Sequence, residues 1–512
     1  MSEGDFQAPS VCRLAILTWG TRMNSKTTVL VIALGVVFAV SSCSGLHSGG
    51  CTTNCGGNAT LSITISDTPP TNTNVVSFSL PIIGITLTPS SGSQVSVFSS
   101  NPSTDFELTR LQTDTNLVVA KVTVAKGTYT AVNVTVAAPS GTFINSSNST
   151  VGQCVAGAVC GITGSAATIT YTFPTSSPLV LNANANQWLN LDLNFNNSIV
   201  LQSQNLAIDV TQTGVMTAST TVATGVPSGN FAYLDDFTGQ VSAISSSSIT
   251  LKSTLRGTLI AAISSATPVY DPQNLCTGGG SLSCIAVGSV VSLQGLLSSN
   301  GVATATSLDV IDKSTAPVDE VEGLIYASSC GGTGSYGLVV SDSAITTSGS
   351  PFLSSNFGSG VCLTLSPSAT FAIDFGILTG QPGLPTNNAG FSSAADIFNG
   401  QTVRVKVTNA AAGTSGVNAT ATELILRPAR FTAVVGAVSG NAFTISSLPT
   451  YLALNFASNF TPQVNTYPNA TILEGTASLN DLTNGQTVGI SALFLDPTVA
   501  QYPFHAVKVR AF

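Results

Sequence analysis

From residue 58 onward, apolar residues recur at alternate positions in short runs, and almost nowhere with the spacing of a helix face. Leu61, Ile63 and Ile65 alternate in ATLSITISD; Leu189, Leu191, Leu193 and Phe195 do so in WLNLDLNF. The runs are rich in Val, Ile, Thr and Phe and are bounded by clusters of Gly, Pro, Asn and Ser, which punctuate strands and turns. This pattern predicts an all-β fold. With 512 residues the chain is too long for one ordinary core, and roughly three to five domains are expected.

Hydrophobic residues make up 43% of the chain, enough for real cores, but charged residues make up only 7%. An average soluble protein carries about 25% charged residues. Hydroxyl and amide side chains must therefore wet this surface, as suits an exported protein. The formal net charge is −8, with 15 Lys and Arg in all. No basic patch for nucleic acid is expected, nor a polybasic membrane-surface site.

Val29 to Val40 (VLVIALGVVFAV) is an unbroken apolar run preceded by Arg22 and Lys26. It is too short for a membrane-spanning helix of about 20 residues and has the length of a signal-peptide core. It ends in Val40-Ser41-Ser42-Cys43, which is similar to the lipobox of bacterial lipoproteins. That resemblance implies cleavage before Cys43 and lipidation of its thiol. With Ser44 in place of the Asp that signals retention in the inner membrane, it implies outer-membrane delivery. The expected leader is residues 1–42, with Met1 or Met23 as the start. A Gly/Ser/Cys tether follows at 43–57.

Of the ten cysteines, Cys12 lies in the leader and Cys43 carries lipid. The remaining eight fall in close neighbours: Cys51 and Cys55, Cys154 and Cys160, Cys276 and Cys284, Cys330 and Cys362. An even set in an exported chain points to disulfides, and local pairing is the expectation. Each short loop closed in this way contributes roughly 2–3 kcal/mol. A zinc site would want His partners, and His47 and His505 are the only histidines.

Residues 58–225 contain ISDTPP, KGTYTAVNVTV and LNLDLNFNNSIV in that order. The stretch resembles domain of unknown function 4382, which implies an antiparallel β-sandwich in bacterial surface lipoproteins and no assigned activity. The rest reads as a threefold repeat over 230–315, 318–430 and 431–512. Its copies open at FTGQVSAISSSSITL, VEGLIYASS and VVGAVSGNAFTI. They reach AVGSVVSLQGLL, FNGQTVRVKV and TNGQTVGISALF, and close at ATATSLDVID, NATATELILRP and FHAVKVRAF. These copies resemble domain of unknown function 5666, a small module of bacterial exported proteins. About three OB-like β-barrel modules are expected, strung beyond the sandwich like beads.

Chemistry-bearing constellations are sparse. Gly332, Gly334 and Gly337 spell GxGxxG, but Cys330 precedes the string and a strand-like YGLVVS follows, so a hairpin turn is expected instead of a dinucleotide loop. His505 is read as a surface strand residue. Asp235 with Asp236, and Glu320 with Glu322 beside Asp319, are paired carboxylates at domain junctions. They read first as solvated linker charge, with calcium binding or glycosidase chemistry as alternatives. Tyr129 and Trp188 are candidates for carbohydrate stacking, with core packing the simpler reading.

The function expected from the residues is non-enzymatic: a structural, adhesive or binding role at the cell envelope, needing no cofactor or metal. The membrane would be reached through the N-terminal lipid, and an envelope polysaccharide or protein is the possible partner. The alternative is a carbohydrate-binding or hydrolytic envelope protein. Labelled palmitate is expected to enter the protein, and Cys43→Ala to abolish both labelling and leader removal, read by fluorography and fractionation. Unchanged processing in that variant would remove the anchor.

Overall fold

In a strand, successive side chains point to opposite faces, so each alternating run offers one apolar face for burial. A computed structural model describes residues 57–68, 74–313, 317, 319–327, 330, 334–386, 388–413, 416–495 and 503–512. Cys43, Cys51, Cys55 and the expected leader lie outside them. Among the described residues the architecture is almost wholly β, with one α-helical turn at Thr450–Ala453.

The first thirteen strands are β1 (Asn58–Asp67), β2 (Val75–Pro89), β3 (Val95–Glu107), β4 (Asn116–Ala125), β5 (Gly127–Val136), β6 (Ser140–Ile144), β7 (Val159–Thr163), β8 (Ala167–Thr172), β9 (Leu179–Leu181), β10 (Asn186–Leu193), β11 (Ile199–Gln202), β12 (Asn205–Ile208) and β13 (Met216–Ser219). One sheet has the order β13-β10-β1-β4. The other runs β7-β6-β2-β5-β8, with β3 on β2 and β9 on β5, while β11 and β12 form a separate hairpin. Leu61, Ile63, Ile65 and Leu191 of the first sheet share one apolar core with Ile82, Ile85, Val132 and Val134 of the second. This is the expected β-sandwich. It departs from pure antiparallel pairing at β1 and β10, which run parallel. The long stretch between them builds the opposite sheet and serves as the crossover that a parallel pair requires.

The remaining strands close three barrels. The first uses β14 (Asn230–Ile244), β15 (Ser248–Ser253), β16 (Gly257–Ala262), β17 (Val269–Tyr270), β18 (Val290–Ser298) and β19 (Ala303–Asp312). The second uses β20 (Asp319–Ala327), β21 (Ser335–Ile345), β22 (Gly360–Ile373), β23 (Thr402–Gly413) and β24 (Gly416–Arg427). The third uses β25 (Ala429–Ser439), β26 (Ala442–Ser446), β27 (Gln463–Asn465), β28 (Ile472–Glu474), β29 (Thr487–Phe494) and β30 (Phe504–Ala511). All three share one connectivity. A first strand pairs with a second, the second with a third, and the third lies parallel to the last: β16 on β19, β22 on β24, β27 on β30. The last strand pairs with the one before it, which returns to the first. That is an OB-like barrel. Glycine in the opening strand allows the tight closure: a Cβ on Gly323 would lie 2.2 Å from the Val339 carbonyl oxygen.

Disulfides join Cys154 to Cys160, Cys276 to Cys284 and Cys330 to Cys362. Of the GxGxxG string, Gly334 precedes β21 and Gly337 lies on it, and β21 pairs antiparallel with β20. Gly334 there has a φ of +81°.

The modules are not beads. Residues 54–512 form one compact unit. The outward face of β1 carries Ser62, Thr64 and Ser66, and all three are buried; the first barrel comes so close there that a Cβ on Gly301 would lie 2.7 Å from the Ser62 hydroxyl oxygen. Trp188 of β10 stacks on Phe231 of β14 with ring centroids 5.8 Å apart, and its Nε1 donates to Thr64 Oγ1 at 2.8 Å. The third barrel presses on the sandwich so closely that a Cβ on Gly489 would come 2.4 Å from the Gln112 carbonyl oxygen. The Thr142 hydroxyl donates to the Gly358 carbonyl of the second barrel at 2.9 Å. A local pattern of strands cannot show this, because each contact joins residues far apart in the chain.

Candidate functional site

Charged side chains are almost never fully buried unless paired, yet this chain sends most of its charges inward. Among the described residues, Lys121, Lys126, Lys252 and Asp481 are the exposed charged side chains. Every described arginine is in an ion pair. Most of these pairs converge where the sandwich and the three barrels meet.

The centre is Asp235 and Asp236 on β14. Alternation would send neighbouring side chains to opposite faces. Here the pairing of β14 with β18 slips between Leu234 and Phe237, a bulge that turns both carboxylates into the same junction. Arg110, on the 3₁₀ turn Leu108–Gln112 of the sandwich, donates from Nε to Asp235 at 3.0 Å and from its terminal nitrogens to Asp236 and Glu322 at 2.6 Å each. Arg430 of β25 also bonds both aspartates, reaching Asp235 at 2.9 Å. Arg427, ending β24, reaches Asp236 at 2.8 Å and pairs with Asp374. Arg256 bridges Asp235 at 2.9 Å to Asp342 at 3.4 Å. Arg404, fully buried on β23, lies 3.6 Å from Glu320 and 3.3 Å from Glu322. Lys508 of β30 contacts Asp114 at 2.9 Å and Glu474 at 2.6 Å, and Arg510 faces Glu474 at 3.7 Å.

The solvated-linker reading of Asp235, Asp236, Glu320 and Glu322 is thereby overturned: their exposures are 4%, 8%, 2% and 0%. The domain junctions fold onto one another, so linker charge becomes interior charge. The calcium alternative loses its ligands to guanidinium groups. Among the described residues no group of three or more His, Cys, Asp or Glu side chains is placed to hold a metal ion. Tyr129 is buried, with its hydroxyl donating to the Ala125 carbonyl at 2.7 Å; Trp188 is buried against the first barrel. Neither offers a face to a sugar. His505 is buried beside Tyr467, which bonds its Nδ1, because the last strand is covered on both faces.

Seven cations here face nine carboxylates, so complete ionisation would leave a buried negative excess. The acids divide accordingly. Burial pushes Glu320 up to about 8 against the pull of Arg404. Burial likewise raises Asp235 and Asp309 to about 6. Burial also acts on Asp236, but Arg430, Arg110 and Arg427 outweigh it and hold that carboxyl well below its usual range. For Glu322, Arg110 and Arg427 overcome burial and bring it to about 2. Beside the cluster lies a small cavity of about 40 Å³, lined in part by Asp309, Asp374, Arg427 and Lys508. Asp309 has no hydrogen-bond partner for either carboxylate oxygen, and Arg427 is 3.8 Å away.

The sequence reading found four of the junction's acids and none of its cations. One signal was available. In a chain so poor in charge, arginines set inside apolar strand runs, as in Val403-Arg404-Val405 and Leu426-Arg427, are placed for burial.

Residues 58–209 match the family described as Domain of unknown function (DUF4382). No curated protein matches the chain. Among solved structures, one of drosophila Unr (CSD456) matches with 10% identity, covering 54% of this chain and 97% of that one, at a TM-score of 0.12. That score is too low to carry an argument about fold or function.

Arg110→Ala is expected to destabilise the protein by about 3–5 kcal/mol in urea unfolding, because three buried carboxylates lose a partner at once. Arg110→Lys should recover only part, since an ammonium cannot reproduce the planar fork.

The pH profile follows from the divided acids. Glu320 keeps its proton up to about pH 8 when folded, against an ordinary value of 4.5. The folded state therefore holds the extra proton between those values, and stability falls as pH rises through that window. Glu322, brought to about 2, contributes above 4.5 and loses its contribution as pH falls toward 2. Thermal stability is expected to peak at about pH 4–5 and to decline toward pH 8. Glu320→Gln should flatten the alkaline side of a melting series; an unchanged slope would assign the decline elsewhere.

Proposed function

We propose that the chain is an exported, lipid-anchored envelope protein whose four modules act as one rigid, non-catalytic platform for binding or structure. The observation that carries this reading is the inward placement of charge. It joins the modules into one body and leaves a surface of hydroxyls and amides. Such a surface suits a neutral, hydroxyl-rich polymer or the edge of a protein partner. The three exposed lysines among the described residues make no footprint for nucleic acid. The disulfides among the described residues support an oxidising compartment. The shared connectivity of the three barrels supports the resemblance to domain of unknown function 5666. The anchor at Cys43 and the outer-membrane destination rest on the sequence.

The hydrolytic alternative would have used Asp235 with Asp236, or Glu320 with Glu322. These carboxylates are covered and engaged by arginines, which favours a structural role for them. The purified protein is expected to turn over none of a panel of chromogenic glycosides and esters, and to bind saturably on an array of envelope polysaccharides or to a protein captured by crosslinking on intact cells. Turnover that Asp236→Asn abolishes while the fold survives would replace this reading with the hydrolytic one.

A further inference from the structure

Lys508, Asp114 and Glu474 meet in a way that an ion pair alone does not require. Asp114 follows the turn that carries Arg110. Its neighbour Thr115 is stitched to β14: the Thr115 N–H donates to the Tyr233 carbonyl at 3.1 Å, and the Asp235 N–H donates to the Thr115 carbonyl at 2.8 Å. Lys508 and Glu474 stand on β30 and β28, which are paired strands of the third barrel. The three side chains are therefore held by rigid backbone from opposite ends of the chain. The Lys508 side chain is 3% exposed, that of Glu474 3% and that of Asp114 11%. Lys508 Nζ lies 2.9 Å from Asp114 Oδ1 and 2.6 Å from Glu474 Oε2, and it sits 4.5 Å from the centre of the Tyr233 ring.

We propose that Lys508 and Asp114 form an intramolecular isopeptide bond, with Glu474 relaying the protons. The components are placed for it. The amine is within contact distance of the carboxyl group, the geometry in which orientation contributes most to rate. Asp114 Oδ2 accepts from the Thr113 hydroxyl at 2.7 Å and faces Arg430 Nε at 3.7 Å. These groups stabilise the negative oxygen that forms when Nζ attacks Cγ. Oδ1, on the Lys508 side, is the oxygen that leaves.

The step balances without any co-reactant. Lys508 begins as an ammonium and Asp114 as a carboxylate. Glu474 takes a proton from Nζ and passes it to Asp114 Oδ1, the freed lone pair attacks Cγ of the now neutral carboxyl group, and the N–C bond forms. The bond from Cγ to Oδ1 breaks, and the oxygen departs as water with two of the three ammonium protons. The third remains as the amide N–H. One positive and one negative charge disappear together. Glu474, again ionised, keeps Arg510 as its partner. The bond ties the end of the sandwich's 3₁₀ turn to the final strand.

Mass spectrometry of the full-length protein tests this directly. Trypsin should release Leu111 to Lys121 joined to the segment that begins at Phe431, with no cut after Lys508 and a mass one water below the sum of the two peptides. Asp114→Ala and Lys508→Arg should restore separate peptides of full mass. Glu474→Gln should sharply reduce the branched species while circular dichroism remains that of the parent. If the folded parent yields free 111–121 peptide and cleavage after Lys508, the triad is only an ion pair and the proposal falls.

Discussion

The bulge in β14 is the constraint on which the assembly depends. It presents Asp235 and Asp236 side by side, so that arginines from the sandwich, the second barrel and the third barrel can reach them together. Taking such charges out of water costs several kcal/mol per ion, and only well-made pairs offset that cost. This makes the junction exacting. An apolar seam tolerates sliding, because dispersion contacts are non-directional. A guanidinium fork shared among three carboxylates does not. Rotating any one barrel would leave a buried charge without its partner. The ion pairs therefore fix the angles between modules, whether or not they add to net stability.

Apolar packing cooperates with this arrangement. The sandwich and first barrel keep largely separate cores. The second barrel's core extends into the third through Leu493 and Val507, which cluster with Leu426 and Val405. On the sandwich face that meets the first barrel, a ladder of side-chain hydrogen bonds joins β1 to β10, from Trp188 to Thr64, Thr64 to Asn190, and Asn190 to Ser66, and Trp188 carries the contact across to Phe231 of the barrel. The ladder satisfies the buried polar groups that it joins, as interiors require. The scarcity of charge in the composition thus has a structural meaning. The few charged residues are concentrated where they orient modules, and Ser, Thr and Asn are left to meet solvent.

The local architecture was legible because alternation acts over neighbouring residues. Leu61, Ile63 and Ile65 are buried as their spacing implies, and the repeated Gly-containing strand openings do start barrels of one connectivity. The short strand β16 carries little signal in the sequence, since GTLIAA alternates weakly. The junction was legible only in part. Asp235, Asp236, Glu320 and Glu322 stand out as paired acids, but their burial depends on Arg110, Arg404 and Arg430, which are distant in sequence. His505 misled for the same reason: a lone histidine near a terminus gives no sign that β28 and β29 flank its strand.

The three barrels share a connectivity but not a charge pattern, and the difference explains how near-copies settle into one arrangement. Their first strands carry Asp235 and Asp236, then Glu320 and Glu322, then Arg430; their last strands carry Asp309, then Arg427, then Lys508. Corresponding strands thus bring charges of opposite sign to the junction in different copies. Identical modules would have met at this junction with like charges, at a cost that grows in a low-dielectric interior. Complementary signs favour the native neighbours and penalise exchanged ones, which is how specificity is gained when shapes are alike. Arg110 completes the scheme from the sandwich, supplying the cation that the two acidic first strands share. Changes at a few strand positions are therefore enough to turn a repetitive chain into a single defined body, with the fold of each repeat left as it was.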